Sequence, residues 1–246
     1  MSGGGISCGV EGRVWGISHP GGREENEDAF LVLPLGDGYL LAVADGLGGH
    51  SGGELAARTA VETLSEVFEE NYREELGETD VERLLRMAYE TAHRRILDAS
   101  KAPGRMGTTL VSTFVRNGKA VIANTGDSRA CLVRDGKIIA RTRDHSVVQG
   151  LLERGVIGEE EVKRHPMRHV VTKALGVDLE VDTYVWEMRT GDVLVLSSDG
   201  LHDYLDDGII EKLTMESSPK ATAEALIGEA LKVTEDNVTV VVFREV

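Results

Sequence analysis

Five aspartates stand at the ends of apolar, strand-like runs. Asp28 precedes Ala29–Leu33, and Asp45 follows Leu40-Leu-Ala-Val-Ala44. Asp127 follows Val121-Ile-Ala-Asn-Thr-Gly126, Asp199 follows Val193-Leu-Val-Leu-Ser-Ser198, and Asp236 leads into Val238–Phe243. Carboxylates gathered at sheet ends repel one another unless cations join them. Hard divalent cations, Mg²⁺ or Mn²⁺, take oxygen ligands of this kind. The Asp-Gly pairs at 37–38 and 135–136 join two strands directly and read as turns, and Asp207-Gly208 reads as helix-end chemistry. Asp45-Gly46 and Asp199-Gly200 differ, because a buried-looking strand runs into each and none follows at once. A glycine beside a ligand aspartate lets a backbone carbonyl approach a metal closely.

Other catalytic devices are missing. The chain has no Gly-Lys-Ser/Thr, no HExxH and no G-x-S-x-G, and the run Gly46–Gly53 lacks dinucleotide spacing. A cysteine-phosphatase loop needs Arg six positions after its Cys, but Cys8 and Cys131 are followed there by Val14 and Lys137. Two cysteines are no disulfide framework either.

The elements that must position the aspartates show in the patterning. Arg13–Ser18, Ala29–Pro34 and Tyr39–Ala44 read as strands, the last two forming a hairpin across Gly36-Asp-Gly38. Ala56, Ala60, Leu64 and Phe68 predict one helix, and Val81, Leu84, Leu85, Ala88, Ala92 and Ile96 a second. Thr109–Arg116, Lys119–Asn124, Arg129–Arg134 and Lys137–Thr142 read as an antiparallel meander. Ser146–His169 has charges, short helical signals and few strand formers, and reads as an insertion over one edge. Strands are expected at Val181–Met188 and Asp192–Ser197, then helices at about Asp206–Thr214 and Pro219–Val233, and a last strand at Val238–Phe243. Grouped strands and paired helices imply an α+β class: a four-layer αββα sandwich, two antiparallel sheets flanked by pairs of antiparallel helices. No repeat or linker interrupts residues 1–246, which read as one domain.

Composition agrees. With 246 residues the chain can bury a substantial core. A net charge of −15 disfavours nucleic acid and anionic membranes as partners. No apolar run approaches the roughly 20 residues that span a bilayer. The first residues show no signal-peptide pattern, so a cytoplasmic location is expected.

Seven segments carry a family resemblance: Arg23-Glu-Glu-Asn-Glu-Asp28, Val43-Ala-Asp-Gly-Leu-Gly-Gly49, Met106-Gly-Thr-Thr109, Asn124-Thr-Gly-Asp-Ser-Arg129, Arg143-Asp-His-Ser146, Ser197-Ser-Asp-Gly-Leu201 and Asp236-Asn-Val-Thr239. In type and order they resemble the motifs of the metal-dependent PP2C (PPM) protein serine/threonine phosphatases, most closely the compact bacterial-type members. The resemblance implies hydrolysis of phosphoserine and phosphothreonine by a hydroxide bridging two Mn²⁺ or Mg²⁺ ions. It makes Asp45 the bridging ligand and Gly46 a carbonyl ligand of the second metal. Asp199 and Asp236 hold the first metal, and Glu27 and Asp28 form an acidic pair that binds directly or through water. Arg23 clamps phosphate, Asp127 holds a third, weaker ion, and Ser146–His169 is a flap over the substrate. Phosphorylated proteins, targets of a Ser/Thr kinase, are the implied partners of a monomeric enzyme. Many eukaryotic members have His directly after Asp-Gly. Here Leu47 follows and His50 lies three further on, so protonation of the leaving group falls to His50, a metal-bound water or solvent.

Two other functions compete: a regulator phosphatase dedicated to one partner protein, and an inactive phosphoprotein-binding module. The second requires a lost ligand, yet Asp45, Asp199 and Asp236 are all present. His145 and Arg129 read as structural, Arg129 as one half of an ion pair. Asn237-Val-Thr239 matches a glycosylation sequon and is dismissed for a cytosolic chain.

Overall fold

The computed structural model describes residues 5–48, 51–100 and 106–246. The chain begins with strands β1 (Ile6–Val10), β2 (Val14–His19), β3 (Asp28–Leu35) and β4 (Gly38–Leu47), followed by helices α1 (Ser51–Asn71) and α2 (Glu78–Ala99). Strands β5 (Gly107–Thr108), β6 (Leu110–Arg116), β7 (Lys119–Thr125), β8 (Arg129–Arg134) and β9 (Lys137–Arg141) come next, then α3 (Val147–Glu153) and α4 (Glu159–Val162). Strands β10 (Asp182–Glu187) and β11 (Val193–Ser197), helices α5 (Asp199–His202), α6 (Asp207–Leu213) and α7 (Pro219–Ala230), and strand β12 (Val238–Arg244) complete it.

These strands form two antiparallel sheets, ordered β1-β2-β12-β11-β8-β9 and β10-β7-β6-β4-β3. Alternate residues of each central strand serve different layers. In β4, Leu41 and Val43 pack between the sheets, while Leu40, Ala42 and Ala44 face α1 and α2. In β12, Val241 and Phe243 enter the inter-sheet core, and Val238, Val240 and Val242 meet α5–α7. Burial on both faces explains why these strands read as unbroken apolar runs. The four-layer expectation holds. One outer layer is the long pair α1 and α2; the other is α7 with the shorter α5 and α6.

Four local readings change. Strand β1, paired with β2 through Ile6↔Ser18 to Val10↔Val14, was not legible in a short exposed Ser/Gly/Cys segment. The meander is divided: β6 pairs with β7 and β8 with β9, but the chain passes from one sheet to the other at Gly126-Asp127-Ser128. Asp45 does not end its strand, because β5 pairs with the extension through Gly46↔Thr108 and Leu47↔Gly107. Asp199 opens a short helix, α5, that lies ahead of the helix expected at about Asp206–Thr214.

The segment read as a flap carries α3 and α4. Its base is closed by a Ser146↔Val171 bridge and by the Thr172 N–H donating to the His145 carbonyl at 2.8 Å. Ser146 caps α3, accepting from the Gln149 N–H.

Candidate metal centre

Antiparallel pairing brings the acidic strand ends to one pole. Asp28 lies directly opposite Asp45 in the β3–β4 register. Like charges so placed are destabilising in a sheet. The start of β12 lies beside the end of β11 in the other sheet, and the Ser198 hydroxyl joins the two sheets by donating to Asp28 Oδ2 at 2.8 Å. The Thr239 N–H donates in turn to Ser198 Oγ, and the Thr239 hydroxyl to Ser18 Oγ. A hydroxyl network therefore backs Asp28 from behind.

Asp45 is fixed through its backbone, and the turn that carries Asp127 is fixed at its flanks. The Asp45 N–H donates to Thr109 Oγ1 at 3.0 Å, and the Asp45 carbonyl accepts from the Thr109 N–H and the Thr108 hydroxyl, both at 2.9 Å. That is the work of the Met106–Thr109 segment. Thr109 Oγ1 also meets Ser128 Oγ at 2.7 Å, tying Asp45 to the turn that carries Asp127. In that turn Gly126 has φ +96°, a left-handed conformation that favours glycine. His145 brackets the turn: its N–H donates to the Gly126 carbonyl, its Nδ1 accepts from the Gly126 N–H, and its Nε2 meets Asp182 at 3.2 Å. His145 is thus structural, as is Arg129, whose Nε and Nη2 fork onto Asp144 at 2.8 and 2.6 Å.

Glycines permit the close packing. A Cβ on Gly53, in the first turn of α1, would lie 1.8 Å from Glu27 Oε2, so the Glu27 carboxylate rests against a helix N-terminus that favours anions. A Cβ on Gly46 would meet the Gly53 carbonyl at 2.5 Å. A Cβ on Gly200 would lie 1.9 Å from the Asn237 carbonyl, so Gly200 serves backbone packing.

A cleft of about 800 Å³ opens at this pole, lined by Arg23, Glu27, Asp45, Gly46, Asp127, Asp199 and Asp236 among others. Asp28 lies behind that lining. Burial pushes its carboxyl up to about 7, with Asp199 and Asp236 adding to the shift. Burial also holds Asp45 well above the usual carboxylate range, followed by the charges of Asp199, Asp28, Asp127 and Asp236. Asp127 is raised by burial, then by Asp199, Asp144 and Asp203. Asp28 Oδ1 is buried with no hydrogen-bond partner among the described residues. Buried, mutually repelling carboxylates with an unsatisfied oxygen are the donor set that hard divalent cations compensate, so the residues fit such ions.

Arg23 is not idle beside this cluster: its Nη2 lies 2.9 Å from Asp236 Oδ2, with the side chain 59% exposed. His50 lies outside the described residues. Several participants escaped the sequence reading. His169 Nδ1 lies 3.4 Å from Asp203 and 3.9 Å from Asp199. Asn237, dismissed as part of a sequon, bonds the Arg23–Asp28 loop. Its place directly after Asp236 was the available signal.

Two packed antiparallel sheets, helices outside, and a carboxylate cluster at their shared pole make an α+β sandwich with a candidate site for divalent cations. Residues 15–232 match the family model described as Protein phosphatase 2C. The Serine/threonine phosphatase stp of Listeria welshimeri is 35% identical over 226 residues, covering 89% of each chain. The structure of Stp1 from Staphylococcus aureus has a TM-score of 0.88 at 30% identity over 100% of both chains. The catalytic domain of PstP, solved in complex with two manganese ions, has a TM-score of 0.78 at 32% identity, covering 94% of this chain and 97% of that one. The chain belongs to the protein phosphatase 2C family.

Proposed function

We propose that the cleft hydrolyses phosphoserine and phosphothreonine in proteins by direct attack of water, with no phosphoenzyme. Family membership makes the chain a metal-dependent protein serine/threonine phosphatase. The observation that carries the site assignment is the meeting of Asp28, Asp45, Asp127, Asp199 and Asp236 at one pole, with Asp28 and Asp127 buried, the other three half-buried, and Asp28 Oδ1 without a hydrogen-bond partner among the described residues. In this reading Asp45 would be shared between the cations, Gly46 would offer its carbonyl, Asp199 and Asp236 would hold a cation, and Glu27 and Asp28 would complete the acidic pair. A bound pair of divalent cations supplies an activated water at neutral pH and positive charge opposite the phosphoryl oxygens.

The chain's own residues do the rest. Thr108 and Thr109 keep Asp45 rigid, and Ser198 orients Asp28. The exposed Arg23 presents a planar fork to phosphate at the cleft mouth. Its contact with Asp236 holds that fork beside the cations' seat. Asp127 is the ligand of a third, weaker ion, since few charged ligands give weak affinity. The ions are Mn²⁺ or Mg²⁺. The chain is read as one monomeric domain acting on kinase targets in the cytoplasm, with a flap at 146–169. Among the described residues no helix is long and apolar enough to cross a membrane.

The test is hydrolysis of p-nitrophenyl phosphate and of phosphoserine and phosphothreonine peptides across a panel of divalent metals, with and without chelator. Chelation should abolish turnover, and Mn²⁺ or Mg²⁺ should restore it. Full activity in protein shown metal-free by elemental analysis would sink the reading. A second expectation concerns Arg23. Arg23→Ala should raise KM for phosphopeptide about tenfold or more, the worth of a charge-assisted hydrogen bond, with a smaller effect on kcat. Arg23→Lys should rescue only part, having lost the fork. Unchanged KM in both variants would leave Arg23 as a partner of Asp236 alone.

A further inference from the structure

We propose that Asn237 is a positioning residue that seats the loop carrying Arg23 and Glu27 against Asp236, and thereby sets cation affinity. The proposal rests on the reading of Glu27, Asp28 and Asp236 as metal ligands. Residues 20–27 lie between the end of β2 and the start of β3, so no sheet ladder holds them. The segment carries Glu24, Glu25 and Glu27 and sits beside Asp236 and Asp199, so like charge pushes it outward. Something must hold it down.

The exposed Arg23–Asp236 ion pair draws in one point of the loop, and one buried side-chain amide ties down the backbone on either side of it. Asn237 Oδ1 accepts from the Glu27 N–H at 2.8 Å. Its Nδ2 donates to the carbonyls of Pro20 at 2.9 Å and Glu25 at 2.8 Å. The Asn237 N–H donates to Asp236 Oδ1 at 2.9 Å, and its own carbonyl is the group against which Gly200 packs. Asn237 therefore touches three of the ligand-bearing segments: the 20–27 loop, Asp236, and the start of α5 at Asp199-Gly200. It is only 7% exposed, so the three amide bonds are made away from bulk water. Asparagine supplies an acceptor and two donors at one length; aspartate of the same shape supplies no donor. Asn26 plays a smaller part on the other side of Glu27, accepting from the Asp28 N–H at 3.2 Å and donating to Ser18 Oγ at 2.8 Å.

The experiment compares Asn237→Ala, Asn237→Asp and Asp236→Asn with wild type. Mn²⁺ affinity is read by calorimetry, KM and kcat on a phosphopeptide over a Mn²⁺ series, and melting temperature in chelator. Groups that orient metal ligands are worth about 10- to 100-fold in affinity, so Asn237→Ala should raise the Mn²⁺ Kd by about that factor, with kcat recovering at saturating Mn²⁺. KM should stay raised, because Arg23 rides on the same loop. A purely structural role predicts a lower melting temperature with wild-type Kd and KM, and that result overturns the proposal. Should Asn237→Ala fail to fold, Asn237→Asp decides by the same two readings. It keeps the Glu27 acceptor, loses both donors, and adds a charge that by itself favours cation binding, so weakened binding counts doubly for the proposal and unchanged or tighter binding overturns it. Normal Mn²⁺ affinity in Asp236→Asn would remove the ligand assignment itself. Weak binding there with unaltered Asn237 variants removes only the positioning role.

Discussion

Replacing Asp45 by Asn will cut kcat by about 10²-fold or more, the scale of losing a group that organises charge at the reacting centre. The same change will raise the melting temperature of the metal-free protein. Asp45 is half-buried opposite Asp28, and desolvation and four other aspartates push its carboxyl up. Neutralising it removes a like-charge interaction with Asp28 while keeping the side chain's shape. Its backbone bonds to Thr108 and Thr109 need no carboxylate. For a chain of this size a relief of 1–2 kcal/mol raises the melting temperature by about 2–8 °C. Loss of activity with gain of apo stability is the signature of a charge retained for a ligand. Kinetics in Mn²⁺ and calorimetry in chelator check the two halves. Near-normal turnover would remove Asp45 from the ligand set. A lower apo melting temperature would mean that its carboxylate stabilises the fold.

Four of the five strand-end aspartates were legible in the sequence because both faces of β4, β7, β11 and β12 are buried; β3, which carries Asp28, is a half-buried edge strand. An unbroken apolar run that stops at an aspartate stands out whatever it pairs with, and β11 before Asp199 and β12 after Asp236 are such runs. Pairing was a different matter. Nothing local distinguishes the turn at Gly126-Asp127-Ser128, which changes sheets, from Asp135-Gly136, which makes a hairpin. Both offer the same turn residues, and the difference lies in contacts with Thr109 and His145, far off in sequence. Strand β1 escaped because an exposed edge strand needs no apolar alternation. The hydrogen-bond partners of the supporting residues were not legible for a related reason. Asn237, Ser198 and Thr109 act through hydrogen bonds to partners tens to hundreds of residues away, and neither periodicity nor composition encodes such partners.

The metal-free protein should lose stability as pH rises from about 4 to 8, and divalent cations should reverse that trend. Asp28 is raised to about 7 by burial, Asp45 and Asp127 are raised by burial and neighbouring carboxylates, and Asp203 is raised to about 6, chiefly by burial. A carboxyl whose folded value lies above its unfolded one binds more protons in the folded state. Its ionisation therefore costs stability between the ordinary carboxylate range and the folded value. His169, raised by its contact with Asp199, adds in the same direction: its contribution is present at low pH and lost as it deprotonates. His202, lowered by burial, acts oppositely. It is common to both forms of the protein, so it drops out of the difference between metal-loaded and metal-free melting temperatures. Cations hold the carboxylates ionised, so that difference should be small at pH 5 and large at pH 8. One site at a hundred times its Kd contributes about 2.7 kcal/mol, equivalent to about 5–11 °C here. Scanning calorimetry in buffers from pH 5 to 8, with chelator or excess Mg²⁺, measures it directly. A metal-induced shift that is the same at both ends of that range would mean that the buried aspartates are already ionised in the metal-free chain, and the repulsion ascribed to them would have no basis.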